Sequence, residues 1–172
     1  MLKKFIPNEY VQSVYDIDTA NLKKLGIRGI ITDLDNTLVE WDRKEATDEL
    51  LNWLEMLRNE GFEVVIVSNN NEKRVHTFAA PHGLTFIHSA KKPFSRAFRA
   101  ACKLMKLKHE ETVVIGDQLL TDILGGNRAG FRTILVVPVA QTDGILTKFN
   151  RQVERRVFRA MKKKGLIEWD RE

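Results

Sequence analysis

The sequence predicts an α/β protein: a three-layer, Rossmann-like α/β/α arrangement with a five-stranded, mainly parallel sheet. Three observations predict it. Short apolar, β-branched runs alternate with segments of helical period. The runs are short and largely apolar, too much so for an open antiparallel sheet, as expected of parallel strands buried on both faces. Residues able to do chemistry collect just past the carboxyl ends of the runs, where open α/β sheets bind ligands.

Residues 1–25 are the least regular. Tyr10, Val11, Val14 and Tyr15, then Leu22 and Leu25, are expected to form one or two helices against the sheet edge. Residues 27–32 (IRGIIT) read as the first strand and end at Asp33-Leu34-Asp35. Residues 46–60 carry Leu50, Leu51, Leu54 and Leu57 at helical spacing and stop at Gly61. Residues 62–67 (FEVVIV) form the second strand, ending at Ser68-Asn69. A helix over 72–80 is broken by Pro81 and Gly83. A short strand follows over 84–87. Residues 94–106 read as a helix with Phe94, Phe98, Ala101 and Met105 on one side. Residues 112–115 are a strand running into Gly116-Asp117. Residues 119–128 are a short helix closed by Gly130, in which Gly125-Gly126 marks close packing. Residues 132–137 are the fifth strand and 147–163 a basic helix.

The chain has 172 residues, 43% hydrophobic and 30% charged, an ordinary globular composition expected to form a single domain over 1–172. One cysteine, Cys102, rules out a disulfide framework and fits a reducing compartment. No apolar run approaches the roughly 20 residues that span a bilayer, and the opening stretch is too short and polar for a signal peptide. A cytoplasmic protein is expected. Charge is uneven: residues 1–147 hold 19 basic and 19 acidic residues, whereas 148–172 hold nine and four. The basic character therefore belongs to the C-terminal segment.

Alone, Asp33-Leu34-Asp35 reads as well as a capping turn as it does a site. Lys92 beside Lys91 reads as a solvated loop lysine, and Ser68 as a helix cap. Together they say more. Asp33, Asp35 and Asp117 at two strand ends form a cluster of anions that calls for a cation. Hard oxygen ligands favour Mg²⁺, which keeps waters and bridges to phosphate. Asp122, about one helical turn on, is placed to hold a metal water or orient the lysine. Lys92, before Pro93 at a strand-to-helix junction, supplies a point charge for a phosphoryl oxygen. Ser68 and the Asn69 N–H supply hydrogen bonds to the same oxygens.

The ordered set Asp33-x-Asp35-x-Thr37, Ser68, Lys92-Pro93 and Gly116-Asp117-x4-Asp122 resembles the four motifs of the haloacid dehalogenase (HAD) superfamily of phosphatases, across residues 27–137. The stretches DLDNTLVEWD, VSNNN, KKP and IGDQLLTDILGGNRAG, with the tail TKFNRQVERRV, resemble the YqeG group of class IIIA, which includes phosphatidylglycerophosphate phosphatases. The resemblance implies a phosphomonoester hydrolase working through an aspartyl-phosphate. Asp33 is the implied nucleophile and Asp35 the acid and base. Asp33, the carbonyl of Asp35 and Asp117 are the implied Mg²⁺ ligands, with Thr37 and Asp122 supporting them. Ser68, Asn69 and Lys92 hold the phosphoryl group. The retained Asp35 favours a phosphatase over the superfamily's ATPases and dehalogenases.

HAD enzymes select substrates with inserted cap domains. Here Ser68 lies 33 positions after Asp35 and Lys92 lies 24 positions after Ser68, too few for a cap. A capless site suits a large substrate, and a lipid phosphate is the first expectation. Small sugar or nucleotide phosphates are the alternative. So is a binding module working through its basic helix, residues 148–164, on anionic membrane or, less favoured, RNA. Trp41 reads either as lining the entrance or as a core staple. A phospho-acceptor receiver domain is excluded because the third strand ends at His88 without an acid.

Overall fold

The computed structural model describes residues 2–140 and 145–169, with the side chains of 145–149 outside the description. Its strands are β1 (Glu9–Val11), β2 (Gly29–Thr32), β3 (Glu63–Val67), β4 (Thr85–Ile87), β5 (Thr112–Gly116) and β6 (Arg132–Val136). They form one all-parallel sheet in the order β1-β6-β5-β2-β3-β4. The five expected strands are present and a sixth joins them.

That sixth strand corrects the expectation of a helix at Tyr10 and Val11, while one of the one or two helices expected before residue 25 is present around Leu22. Glu9, Tyr10 and Val11 lie beside Ile134, Leu135 and Val136 at the sheet edge. Three residues are too few to show a strand period. Non-local pairing secures them: Asn8 N–H donates to the Thr133 carbonyl (2.9 Å), Thr133 N–H returns to Asn8 Oδ1 (2.8 Å), and Arg132 pairs with Glu9 (2.7 Å). Among the described residues of this region, only α1 (Thr19–Lys24) is α-helical.

The central strands β2, β3, β5 and β6 bury residues on both faces, as their largely apolar composition requires, whereas no residue of the edge strands β1 and β4 is buried. On one face Ile30, Ile66, Val113, Ile115, Ile134 and Val136 pack under α2 (Asp48–Asn59) and α3 (Glu72–Ala79). α2 begins where Thr47 accepts Leu50 N–H (3.1 Å) and buries Leu50, Trp53, Leu54 and Leu57, one helical stripe. On the other face Ile31, Val65 and Val114 meet Phe98, Ala101, Cys102 and Met105 of α4 (Arg96–Met105). Phe94, expected on that buried stripe, precedes α4 and is 72% exposed.

The expected helix over 119–128 is a π-turn, Leu119–Ile123, leading into α5 (Leu124–Ala129). Side chains on Gly125 and Gly126 would strike Phe98 and Thr133, so this helix can sit tight on its neighbours. α6 (Ile145–Lys163) buries Met161, with Val157 and Phe158, against Leu119, Ile123 and Leu135. Trp169 stacks on Tyr10 at 4.2 Å between ring centroids. Among the described residues, no helix is long and apolar enough to cross a membrane.

Candidate active site

The chain order reverses at the sheet centre. From β2 it runs outward through β3 and β4, then returns to β5 on the other side of β2. The crevice beyond the carboxyl ends of β2 and β5 is where such sheets bind ligands. Asp33 leaves β2 there and Asp117 leaves β5. Asp33 N–H is held by the Ile115 carbonyl across the gap (3.0 Å).

Lys92 reaches into this crevice. Its Nζ lies 3.0 Å from Asp33 Oδ1 and 2.7 Å from Asp122 Oδ1. Asp33, Asp117 and Asp122 are buried, and carboxylate oxygens from all three lie within 4.8 Å of one another. Asp33 Oδ1 also accepts Leu34 N–H at 2.8 Å, so both donors lie on one oxygen and Oδ2 is left for other chemistry.

Three carboxylates face two cations, Lys92 and Arg151, which leaves negative charge in excess in a dry place. Burial, against the pull of Lys92 and with Asp122, Asp117 and Asp35 adding to it, pushes Asp33 up to about 8. Burial likewise raises Asp122. Burial works against the Lys92 ammonium, but Asp122 and Asp33 outweigh it and hold its pKa up. A buried cluster of hard oxygen donors under such strain fits a divalent cation, which binds the deprotonated forms.

The other predicted residues surround this cluster in different ways. Asn36 takes a left-handed conformation (φ 61°), which Asn tolerates better than most residues. The turn brings Thr37 Oγ1 to Asp117 Oδ1 at 2.7 Å. Ser68 is buried at the end of β3 and its Oγ accepts Asn70 N–H (3.1 Å). The cap of α3 is Asn71, so Ser68 is not a helix cap. Asn69 engages Lys92 through its side chain: Oδ1 accepts Lys92 N–H (2.7 Å) and Nδ2 donates to the Lys92 carbonyl (3.2 Å). The helix expected from residue 94 starts two residues later, since α4 begins at Arg96. Asp122 orients the lysine, one of the two roles its spacing suggests.

Asp35 stands apart from the buried trio. Its Oδ1 takes Arg74 Nε and an Arg74 terminal nitrogen (3.0 and 2.9 Å), and its Oδ2 takes Asn70 Nδ2 (2.9 Å). Trp41 is 40% exposed in the loop after the first motif, which removes the core-staple reading.

A family model described as haloacid dehalogenase-like hydrolase matches residues 9–130, most of the chain. The chain belongs to the haloacid dehalogenase-like hydrolase family. It is 57% identical over 171 residues to a Bacillus subtilis (strain 168) protein described as "Probable phosphatase YqeG", covering 99% of both chains. It is 26% identical to phosphatidylglycerophosphate phosphatase 1, chloroplastic/mitochondrial, of Arabidopsis thaliana. That match covers 94% of this chain and 49% of that protein. The solved cobalt-bound deoxy-D-mannose-octulosonate 8-phosphate phosphatase (YrbI) from Haemophilus influenzae shares the fold at a TM-score of 0.54 and 17% identity, over 85% of this chain and 96% of that one. This HAD protein is thus a phosphatase, an enzyme that hydrolyses phosphate monoesters.

Three site residues escape the motif reading. Asn70 and Arg74 had a signal: they follow the second motif within two helical turns, at the active end of the sheet. Arg151 had none. The basic pattern puts it on an outward face, yet it reaches Asp117, with one terminal nitrogen on Oδ2 and the other on the Asp117 carbonyl (2.8 Å). Arg155, Arg156, Arg159, Lys162 and Lys163 are exposed as expected. The side chains of Lys148 and Phe149, which belong to the same expectation, lie outside the described residues.

Proposed function

We propose that this phosphatase is Mg²⁺-dependent, works through an aspartyl-phosphate on Asp33, and acts on a lipid phosphate, with phosphatidylglycerophosphate the first candidate. The observation that carries the chemistry is Lys92 bridging Asp33 and Asp122 beside Asp117 in a buried crevice.

Asp33 Oδ2 attacks phosphorus, and the bond from phosphorus to the ester oxygen breaks. That oxygen takes a proton from Asp35, so the alcohol leaves neutral. Asp35, now a carboxylate, takes a proton from water as the water attacks phosphorus and frees Asp33. Arg74 and Asn70 aim the Asp35 carboxyl. Lys92, Ser68 and the Asn69 N–H hold the phosphoryl oxygens as charge builds on them. Asp33, the Asp35 carbonyl and Asp117 would hold Mg²⁺, Thr37 would steady Asp117, and Asp122 would keep Lys92 aimed. When bound, the cation would offset the repulsion between the Asp33 carboxylate and an anionic phosphate.

Three observations support a lipid substrate. One relative is a phosphatidylglycerophosphate phosphatase. The segments between motifs form only a loop, α2 and β3, then α3, a 3₁₀ turn and β4, with no inserted cap. Exposed arginines and lysines on α6 are suited to anionic headgroups. On this reading the protein sits in the cytoplasm, at the inner face of the membrane.

The test is a panel of phosphate esters with and without Mg²⁺, using Asp33→Asn as control. The panel includes phosphatidylglycerophosphate, sugar phosphates and nucleoside monophosphates. Faster Mg²⁺-dependent turnover of the lipid is expected. Preference for a sugar or nucleotide phosphate would overturn the substrate assignment, and equal rates without divalent cation would overturn the Mg²⁺ dependence.

A further inference from the structure

α6 does more than cover the sheet. Arg151, on its second turn, grips residue 117 at the side chain and the main chain. Glu154, one turn on and buried, holds Arg151 with Oε2 (3.3 Å) and accepts Leu120 N–H with Oε1 (3.0 Å). Lys92 is engaged by Asp33 and Asp122, so Arg151 brings a separate positive charge to the Asp117 carboxylate. A second cation on that carboxylate would meet the guanidinium at short range, where the surroundings are dry and charges repel strongly.

We infer that Arg151 is a surrogate cation that neutralises Asp117 until a divalent cation binds, and that metal binding is thereby coupled to the docking of the N-terminal half of α6. This rests on the reading that Asp117 is a metal ligand. The coupling is reciprocal: metal weakens the Arg151 grip, and the grip weakens metal binding by the same factor. The C-terminal half of α6 stays seated throughout, because Val157, Phe158 and Met161 are held by apolar packing rather than by Asp117.

The experiment measures Mg²⁺ affinity of the full chain by calorimetry and amide exchange across residues 150–157. Arg151→Gln is expected to lower the Mg²⁺ dissociation constant about tenfold, within the usual range of coupling between sites. Arg151→Lys is expected to fall between, since an ammonium keeps the charge without the two-pronged grip. In the wild type Mg²⁺ is expected to speed exchange over 150–157, and in Arg151→Gln to leave it unchanged. Equal or weaker Mg²⁺ binding by Arg151→Gln overturns the inference. So does wild-type exchange that ignores Mg²⁺, a result that needs no variant to fold. A wild type that binds no divalent cation at all overturns the metal reading itself.

Discussion

Asp122 stands where a side chain on Gly116 would have to go: a Cβ built on Gly116 collides with the Asp122 carboxylate. The glycine that ends β5 therefore lets the π-turn fold back, so that Gln118 N–H meets Asp122 Oδ2 (3.1 Å) and Oδ1 faces Lys92. Gly116→Ala should push Asp122 away and loosen Lys92. A Tm lower by about 4–8 °C is expected, for an overpacking cost of about 2 kcal/mol. Turnover should fall roughly a hundredfold from the misplaced lysine. Calorimetry and steady-state kinetics read both, and a variant with unchanged turnover would show that Asp122 does not set the lysine.

Asp33→Asn keeps the volume but cannot attack phosphorus. Turnover of an aryl phosphate should fall by a factor on the order of 10³ or more, with the circular dichroism spectrum unchanged. A variant still turning over at the wild-type rate would remove Asp33 as nucleophile.

Arg74 and Asp35 form a test of aim rather than charge alone. Arg74→Ala should lower kcat by roughly 10–100-fold with a smaller change in KM, because a general acid is worth about 10²–10⁴ when well placed. Arg74→Lys should recover little of that, since lysine lacks the guanidinium fork. Full activity in Arg74→Ala would show that Asn70 suffices.

Stability should report the crowding of carboxylates. Asp33 sits at about 8 in the folded, cation-free protein, against an ordinary carboxylate value of about 3.9. Between those values the folded state holds more proton than the unfolded chain, so this group's contribution is present at low pH and is lost as pH rises. The cation-free Tm should therefore fall from about pH 5 to about pH 8, with a shallower slope in Asp33→Asn and in saturating Mg²⁺. Identical slopes in all three would contradict a raised Asp33.

The exposed face of α6 is tested with Arg155, Arg156 and Arg159 changed together to Gln. At about 1 kcal/mol per charge, binding to anionic vesicles should weaken on the order of a hundredfold at low salt, while hydrolysis of a small soluble phosphate barely changes. Equal vesicle binding by both proteins would rule out the membrane role.

Five strands, their parallel pairing and the residues at their carboxyl ends were legible in the sequence, because burial on both faces forces largely apolar runs and chemistry can stand only where they end. Asp33, Ser68, Lys92 and Asp117 were readable for that reason. What only the tertiary structure decided are relationships between segments that share no local pattern. β1 is three residues long and exists because β6 offers it an edge. The π-turn depends on the space that Gly116 leaves for Asp122. Arg74 finds Asp35 across 39 residues and Arg151 finds Asp117 across 34. Helical period shows which residues share a face, but a charged side chain takes its partner from whatever the packed layers bring within reach.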